Sequence, residues 1–504
     1  MRRRRRWKVL ALGVAFVVLL GAAGGLVARD RWTNRCSAKA APLDVDGLST
    51  VGIQPPGKVG LGSVAPSQRA RIKAATAAAG QSGSPLGSLR GVTLLDRSAA
   101  GSGWSVIGSD QSGVLVQVSP ESAPRSVTRL DTAGTAIHWA RPVPSLGWSE
   151  VVADRGQLIL VDLQDEERGR LVSIETGTGE LGWCAELGPG PGPGYRPAVA
   201  ADPTTDSVYV VQPARIVGPG DTEAERRLGL VRVGRHDLRN GHQVWQVPVE
   251  GFRSIASVRP FRDTVLVSGN GPAIPSTDRY RKLTQSGPPS VPDGIVQARA
   301  MADGALRWAY RGPGVGTWVN RVVGVQDDVA VILSRQTPAL PGYDAHEEKN
   351  QSEAARTTSW LIGLSSDGRE RWRQNLGKRL YHAGGETVAA GVVLTVEHSP
   401  TNPQGMVVVA RDTATGRVRW TVPSTRLQPR FGTVAVWFTP HDEPVLVGNL
   451  LLTSGRDQTL ISVDLNTGAI RQPLGALVVS QLVADHKSVA LNSDGVLLTF
   501  DRPD

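Results

Sequence analysis

One local pattern recurs along most of this chain and constrains its fold more than any other feature. Each copy is a short apolar strand, a turn that ends in glycine, and a tryptophan four residues after that glycine. The full copies read LVSIETGTGELGW (171–183), LVRVGRHDLRNGHQVW (230–245), IVQARAMADGALRW (295–308), LIGLSSDGRERW (361–372) and MVVVARDTATGRVRW (406–420). A sixth copy, LISVDLNTGAIRQ (460–472), has Gln472 in place of tryptophan, and a looser first copy, VTRLDTAGTAIHW (127–139), has one extra residue before Trp139.

The turn in each copy predicts a β-hairpin. Asp or Asn beside Thr and Gly suits a tight turn, because glycine adopts the positive φ that other residues resist. Two more β-rich runs precede the copies, such as EVVAD and QLILVDL before Leu171. Units of four strands, spaced about 45 to 64 residues apart, indicate a β-propeller, in which radial packing buries both faces of every sheet. A solenoid is the less expected layout.

The number of units is set by where each begins. They begin near Trp104, Glu150, Arg196, Ser257, Asn320, Tyr381, Gly432 and Val479. The last unit has only three strands before Asp504, and GVTLLD at 91–96 can supply its fourth. Pairing of an N-terminal strand with the last unit removes both open sheet edges. The sequence therefore predicts an all-β, eight-bladed β-propeller over residues 91–504, with seven blades as the alternative.

The spacing Asp-x-x-x-Gly-x-x-x-Trp resembles the tryptophan-docking repeat of the pyrroloquinoline-quinone-type propellers. It is best kept in Asp237–Trp245 and Asp412–Trp420, and the resemblance covers roughly residues 91–504. That family includes the quinoprotein alcohol dehydrogenases and the non-enzymatic outer-membrane assembly lipoprotein of the BamB type. The resemblance implies that tryptophans pack between adjacent blades as core residues. The tryptophans expected in this role are Trp139, Trp183, Trp245, Trp308, Trp372 and Trp420.

The N-terminus predicts a membrane anchor. Five arginines, Arg2 to Arg6, precede a stretch from Val9 to Ala28 that contains no charge and no proline. A helix of about 20 residues spans the roughly 30 Å hydrocarbon core of a bilayer, and the positive-inside tendency leaves the arginines in the cytoplasm. We expect a cytoplasmic basic segment (1–8), a transmembrane helix (9–28), an extracytoplasmic linker (29–90) and the propeller (91–504).

Two other interpretations of the N-terminus stay open. A cleaved secretory signal could use the Gly21-Ala22-Ala23 triplet, and the arginine run matches a twin-arginine signal by default. All three place the folded mass outside the cytoplasm, so they differ only in whether it stays tethered. Within the linker, the Ala-rich stretch Ser67–Ala79 predicts a short helix capped by Ser67.

The charge distribution argues against nucleic-acid binding. The chain carries +10 in total, but residues 1–39 hold ten Lys or Arg and one acidic residue. That leaves +1 for the other 465 residues. Attraction to a polyanion needs a clustered basic surface, and the dense cluster here lies beside the apolar run.

Two cysteines, Cys36 and Cys184, predict a disulfide in an oxidising compartment. A zinc site would need more ligands at closer spacing. The alternative is that Cys184 is a small buried hydrophobe and Cys36 a free thiol. Lipidation of Cys36 is not expected, because Thr33-Asn34-Arg35 is not a small apolar context.

The known signatures of catalysis are absent from the sequence. Many quinone-dependent alcohol dehydrogenases of the resembled family use two adjacent cysteines and a calcium-binding set of Glu, Asn and Asp. No adjacent cysteines occur here, and Asp327 and Asp328 fit a turn between strands better than a calcium site. Enzymes of the soluble glucose dehydrogenase type lack the cysteine pair too, so the quinone-dependent oxidoreductase of alcohols or sugars stays the alternative. No zinc motif, nucleophile elbow or phosphate-binding loop is found.

Two long insertions between strands are the expected binding elements, since loops carry binding on rigid scaffolds. One spans Gly269–Gly294 and holds Tyr280 with Arg279, Arg281 and Lys282; the other spans Arg335–Thr358 and holds Tyr343, His346 and Glu347. Either could also be plain decoration of a blade. The sequence predicts a membrane-anchored, extracytoplasmic, bacterial propeller that needs no cofactor or metal and binds a protein or cell-envelope ligand without catalysis.

Overall fold

The structure is a computed structural model, and it describes the strands and their turns. The described residues are 66, 69–70, 72–73, 77, 86–94, 103–110, 113–119, 126–134, 136–143, 146–152, 155–165, 168–189, 198–213, 231–249, 254–270, 296–310, 312, 317–336, 358–377, 386–399, 406–423, 445–447, 450–454, 460–471, 479, 481–484, 488–493 and 496–502. The predicted segments 1–8 and 9–28 lie outside these residues. No helix among the described residues is long and apolar enough to cross a membrane.

The described strands form antiparallel groups of four, which we number as sheets 1 to 8. The first strand of the chain is β1 (Leu89–Leu94). Sheet 1 contains β2 (Gly103–Asp110), β3 (Gly113–Ser119), β4 (Ser126–Leu130) and β5 (Ile137–Pro142). Sheet 2 contains β6 (Leu146–Val152), β7 (Gln157–Asp165), β8 (Arg168–Glu175) and β9 (Leu181–Pro189). Sheet 3 contains β10 (Ala198–Asp202), β11 (Ser207–Pro213), β12 (Val231–Asp237) and β13 (Gln243–Val249).

The later sheets follow the same order. Sheet 4 contains β14 (Ser254–Phe261), β15 (Thr264–Asn270), β16 (Val296–Ala300) and β17 (Leu306–Tyr310). Sheet 5 contains β18 (Thr317–Gln326), β19 (Val329–Gln336), β20 (Thr358–Ser365) and β21 (Glu370–Gly377). Sheet 6 contains β22 (Thr387–Ala389), β23 (Val392–His398), β24 (Met406–Asp412) and β25 (Val418–Pro423). Sheet 7 contains β26 (Val445–Val447), β27 (Leu450–Ser454), β28 (Leu460–Asp464) and β29 (Ile470–Arg471).

Sheet 8 is built from both ends of the described chain. Its first three strands are β30 (Gln481–Ala484), β31 (Ser488–Ser493) and β32 (Val496–Asp501). The fourth is β1, which pairs antiparallel with β32 from Leu89 opposite Phe500 to Leu94 opposite Val496. The predicted pairing of the early segment with the last unit is therefore confirmed, and the strand begins at Leu89, two residues before the expected boundary.

Neighbouring sheets follow one another around a closed ring. The first strands of consecutive sheets lie side by side from β2 through β22, and again from β26 through β30 to β2. Sheets 6 and 7 meet where the Trp420 ring covers Gly468. Sheets 4 and 5 are also joined by one strand pair, Asn270 opposite Val319, and so form a single eight-stranded sheet. This arrangement is an all-β propeller.

The core lies between the sheets, at what we call junctions. Leu158 and Leu160 of β7 pack in one buried cluster with Trp139 of sheet 1. The alternate residues Ile159 and Val161 pack with Val208 of sheet 3. Because side chains alternate along a strand and both faces are covered, β7 has a nearly continuous apolar run instead of an alternating pattern.

The segment before β1 differs from the linker predicted over residues 29–90. Helical residues are Pro66, Arg69, Ala70, Ile72, Lys73 and Ala77, while the predicted cap, Ser67, lies outside the described residues. Ile72 and Leu86 are each only 1% exposed and belong to the buried cluster of sheet 8. The Ala-rich composition concealed this packing, because a single large side chain suffices to anchor a short helix to the core.

Candidate functional site: the docking positions between sheets

Six tryptophans join consecutive sheets by the same hydrogen bond. Each indole Nε1 donates to a backbone carbonyl in the turn between the third and fourth strands of the next sheet, which we call the docking turn. The bonds are Trp139 to Thr176 (2.9 Å), Trp183 to Leu238 (2.7 Å), Trp245 to Met301 (2.8 Å), Trp308 to Ser366 (2.7 Å), Trp372 to Thr413 (2.8 Å) and Trp420 to Leu465 (2.9 Å). These are the inter-blade positions that the resemblance implies.

A glycine in each docking turn lets the ring approach. Gly304 has φ of +75°, and a Cβ built on it would lie 2.8 Å from the ring of Trp245. Real Cβ atoms do not come this close to another heavy atom, and the positive φ strains any other residue. The same contact recurs at Gly179, Gly241, Gly368, Gly416 and Gly468. The glycine of each copy therefore contacts the tryptophan of the preceding copy, and the tryptophan of each copy contacts the glycine of the following one.

The residue whose carbonyl accepts the indole bond is also held through its own N–H. The Leu238 N–H donates to the Asp206 carbonyl at 2.9 Å, and the Met301 N–H donates to the Asp263 carbonyl at 2.9 Å. Both acceptors lie in the turn between the first two strands of the same sheet. The residue that accepts the indole bond is therefore tied to the first turn of its own sheet through its N–H, which helps to position its carbonyl for the neighbouring sheet.

Burial of the tryptophans falls along the chain and corrects part of the expectation. Trp139, Trp183 and Trp245 are buried, whereas the last three docking tryptophans are only half-buried. The last three are Trp308, Trp372 and Trp420. They lie in outermost strands, β17, β21 and β25, that are mostly exposed, and each packs against a buried cluster.

A second docking position lies two residues after the tryptophan, and the repeat pattern does not mark it. The Arg141 Nη1 donates to the Gly179 carbonyl at 2.9 Å. The Tyr310 hydroxyl donates to Glu370 of sheet 5 at 2.5 Å, and Arg373 also binds that carboxylate. Period-2 alternation is the signal that could have found this position, because residues i and i+2 of a strand share a face.

Charge and burial at this second position shift the pKa of both partners. Burial, and then the hydrogen bond to the Glu370 carboxylate, raise the pKa of Tyr310 far above its usual value. Burial of Glu370 opposes its ionisation, but hydrogen bonds from Arg373 and Tyr310 outweigh it and lower its pKa. At neutral pH the pair is therefore a neutral phenol bound to a carboxylate.

Two junctions use other residues than tryptophan. In sheet 8 the counterpart of the docking tryptophan is Gly91. Like Trp183 in β9, Gly91 is the third residue of the outermost strand and follows a register shift. A Cβ on Gly91 would run into the Ala133 carbonyl, and the Leu497 side chain instead covers Gly134. At the junction of sheets 7 and 8, the Gln472 position lies outside the described residues, and β29 is only two residues long.

Buried charges at the junction of sheets 5 and 6 are paired. Arg411 contacts both oxygens of Glu397, with Nη1 at 2.5 Å from Oε1 and Nη2 at 3.2 Å from Oε2. The Thr395 hydroxyl also donates to Glu397 Oε1 at 2.5 Å. Arg321 of β18 forms a second ion pair with buried Glu386, which precedes β22. These bonds offset the cost of burying Arg411, Glu397 and Glu386.

His236 is a buried base beneath a docking turn. Its Nδ1 lies 3.1 Å from the carbonyl of Gly241, the glycine that Trp183 covers. Burial lowers the pKa of His236, and this outweighs the hydrogen bond to Gly241, which raises it. The neutral imidazole therefore donates Nδ1–H to the turn. The equivalent positions in sheets 1 and 2 are Leu130 and Ile174, so the histidine serves packing and the turn together.

The other predicted site residues are placed only in part. Cys184 lies half-buried in β9. Cys36 lies outside the described residues, so the Cys36–Cys184 pairing stays a prediction. Asp327 and Asp328 form the turn between β18 and β19, as expected, and Asp328 pairs with Arg371.

The insertions lie mostly outside the described residues, but their attachment points are placed. One leaves after Asn270 and returns at Val296, and the other leaves after Gln336 and returns at Thr358. Both connect the second and third strands of a sheet, so their attachment points are at the end of the ring opposite the docking turns. Tyr280, Arg279, Arg281, Lys282, Tyr343, His346 and Glu347 lie outside the described residues. In the described ranges no three His, Cys, Asp or Glu side chains converge as a metal site would need.

Comparison with known proteins gives matches in structure only. No family model matches the chain, and no curated protein matches it. BamB from Moraxella catarrhalis is 15% identical, with a TM-score of 0.46 over 81% of this chain and 98% of its own. The quinohemoprotein alcohol dehydrogenase from Comamonas testosteroni is 13% identical, with a TM-score of 0.44 over 91% and 82%. The computationally designed protein Ika8 is 11% identical, with a TM-score of 0.45 over 80% and 98%. By its own sheet order and junctions the chain is a β-propeller, and the sequence spacing of its docking repeat resembles that of the pyrroloquinoline-quinone-like propellers.

Proposed function

We propose that the chain is a membrane-anchored, extracytoplasmic, eight-bladed propeller that binds a protein or cell-envelope ligand without catalysing a reaction. The observation that carries the proposal is a ring of mutually docked sheets, preceded in the sequence by twenty uncharged residues at 9–28. A rigid ring presents its loops in fixed positions, and an anchor would hold them beside the membrane.

Eight blades are supported by the junctions. Each of the buried apolar clusters brings together residues from two neighbouring sheets, and the last of them joins Ala490 and Leu497 of sheet 8 to Val116 of sheet 1. A blade is then one four-stranded sheet, and sheets 4 and 5 count separately although one strand pair joins them.

The use of buried polar groups supports binding over catalysis. Arg411 is held by Glu397, and Arg235 donates to the Met301 carbonyl at 2.9 Å and to Ser207 at 2.8 Å. His236 is held by the Gly241 carbonyl. These groups stabilise turns and junctions. The binding surface we propose is the end of the ring to which both insertions attach, because the docking turns at the other end are committed to holding sheets together.

Anchoring is tested by fractionating cells that express the full chain. The proposal predicts that the protein stays in the membrane pellet after alkaline carbonate extraction and is digested by protease added to spheroplasts. Leu20→Arg, which places a charge in the middle of the apolar stretch, should release it or block its export, since a charge there costs about 2.5–3.5 kcal/mol. Wild-type protein in the soluble fraction would contradict anchoring.

Binding is tested with photo-crosslinking residues at the two ends of the ring. Asn375 in β21 is exposed near the end that carries the insertions, and Arg369 is exposed in a docking turn. We expect a specific adduct from position 375 and none from position 369.

Catalysis is tested by incubating the purified protein with pyrroloquinoline quinone, Ca²⁺ and a dye. Saturable oxidation of an alcohol or sugar would overturn the non-catalytic assignment in favour of the oxidoreductase.

A further inference from the structure

The junction of sheets 7 and 8 has no docking tryptophan, unlike the six junctions that precede it along the chain. The sixth repeat has Gln472 where the tryptophan is expected, and β29 ends at Arg471 after two residues. A sheet face without its indole leaves apolar surface to be covered by something else, because an aromatic side chain buries about 150–250 Å².

Two residues from the N-terminal segment lie in the cluster at this junction. Ile72 and Leu86 are each 1% exposed, and they belong to the same buried cluster as Leu460 of sheet 7 and Phe500 of sheet 8. They come from a part of the chain that belongs to neither sheet. The cluster therefore has three sources: sheet 7, sheet 8 and the segment before β1.

Ile72 is the apolar anchor of the helical residues that precede β1. Between Pro66 and Gly80, Ile72 is the one large apolar residue, among Ala, Arg, Lys and Gln. The helical neighbours Ala70 and Lys73 are exposed. Ile72 is therefore the apolar side chain through which these helical residues pack on the ring.

Leu86 leads directly into the pairing of β1 with β32. The Gly87 N–H donates to the Asp501 carbonyl at 2.8 Å, and the Asp501 N–H donates to the Ser88 carbonyl at 2.8 Å. Arg90 pairs with the Asp501 carboxylate. These bonds extend the β1–β32 pairing back to the residue next to Leu86, so the position of Leu86 is fixed by the strand that follows it.

We propose that Ile72 and Leu86, which precede β1, form an intramolecular latch that docks on the junction of sheets 7 and 8 in place of the missing tryptophan. The latch ties the N-terminal side of the ring to one particular junction. Resting on the proposed membrane anchor, this makes the junction of sheets 7 and 8 the part of the ring coupled to the membrane.

The test is hydrogen–deuterium exchange of the full chain, read by mass spectrometry. The variant is Ile72→Asp, and its control is Lys73→Asp, which adds the same group at an adjacent exposed position. Ile72→Asp should speed exchange in β28 and β30 at least tenfold and leave β12 of sheet 3 unchanged, while Lys73→Asp should change neither. Wild-type exchange in β28 and β30 of Ile72→Asp, or equal acceleration in all sheets, would overturn the latch.

A second measurement covers the case in which Ile72→Asp does not fold. Limited trypsin digestion cuts after Lys73 only if the helix leaves the ring, so the milder variant Ile72→Ala should be cut there at least fivefold faster than wild type. Rapid cleavage after Lys73 in wild type would overturn the proposal. Neither measurement involves a membrane, so failure of the latch and failure of the anchor are distinguishable.

Discussion

The indole of Trp183 donates a 2.7 Å hydrogen bond to the carbonyl of Leu238, 55 positions later in the chain. The same ring covers Gly241, so one side chain satisfies a backbone acceptor and fills the space that a glycine leaves open. A tryptophan and a glycine that are four residues apart in one copy therefore contact the following and the preceding copy, and this is what turns a sequence repeat into a ring.

The glycine half of this contact is tested by Gly241→Ala. The substitution puts a methyl group into the ring of Trp183 at φ of +70°, so we expect a loss of about 2–4 kcal/mol in unfolding free energy from strain and overpacking. Gly177→Ala is the matched control, because a Cβ there meets no atom within 4 Å, and it should stay within about 0.5 kcal/mol. Urea denaturation measures both, and equal effects would contradict the contact.

The tryptophan half is tested by comparing two junctions. Trp183→Ala removes a buried indole and should cost about 3–5 kcal/mol. Trp308→Ala removes a half-buried indole that makes the same hydrogen bond, so it should cost clearly less. The order of the two urea midpoints is the readout. A larger loss at Trp308 would mean that burial does not set the strength of docking.

Removing one partner of the buried pair Arg411–Glu397 should lower the unfolding free energy far more than replacing both partners. Arg411→Met leaves Glu397 buried without its partner and should cost about 3–5 kcal/mol, and the added Glu397→Leu should recover most of that loss. Breaking the exposed pair of Arg371 with Asp328→Asn should have a much smaller effect. If the double variant is as unstable as the sum of its single variants, the two charges are not coupled.

His236 makes stability depend on pH. Its pKa in the folded state is lowered by burial, whereas in the unfolded chain it is near 6.5. The unfolded state then binds more protons, so the contribution is complete above about pH 6.5 and is lost as the pH falls toward the lowered folded value. His236→Leu should flatten the decrease in urea midpoint between pH 7 and 5. Replacing the exposed His138 with Leu is the control, and an unchanged slope in His236→Leu would refute the assignment.

The sequence predicts the parts of this fold that recur. Strand, turn, Gly and Trp repeat at nearly fixed spacing, so the four-stranded units follow from the pattern, while the docking role of the six tryptophans follows from the family resemblance. The closing strand was also predictable, because the last unit lacks a fourth strand and 91–96 is β-rich.

What the sequence does not predict is the part that occurs once. Gly91 occupies the position of a docking tryptophan, but the sequence around it does not resemble the repeat. Ile72 lies in an Ala-rich segment that has the composition of a linker, although it is part of the core. Nothing in the local sequence marks Arg411 and Glu397 as a pair, because only the register of β23 with β24 brings them together. Such contacts depend on the meeting of distant segments, and no periodicity records them.

A crystal structure of the full chain tests the ring most directly. We expect Leu89–Leu94 to pair with Val496–Asp501, and the Trp183 indole to lie against Gly241 with its Nε1 donating to the Leu238 carbonyl. Sheets stacked in an open line, or indoles turned out to solvent, would contradict it.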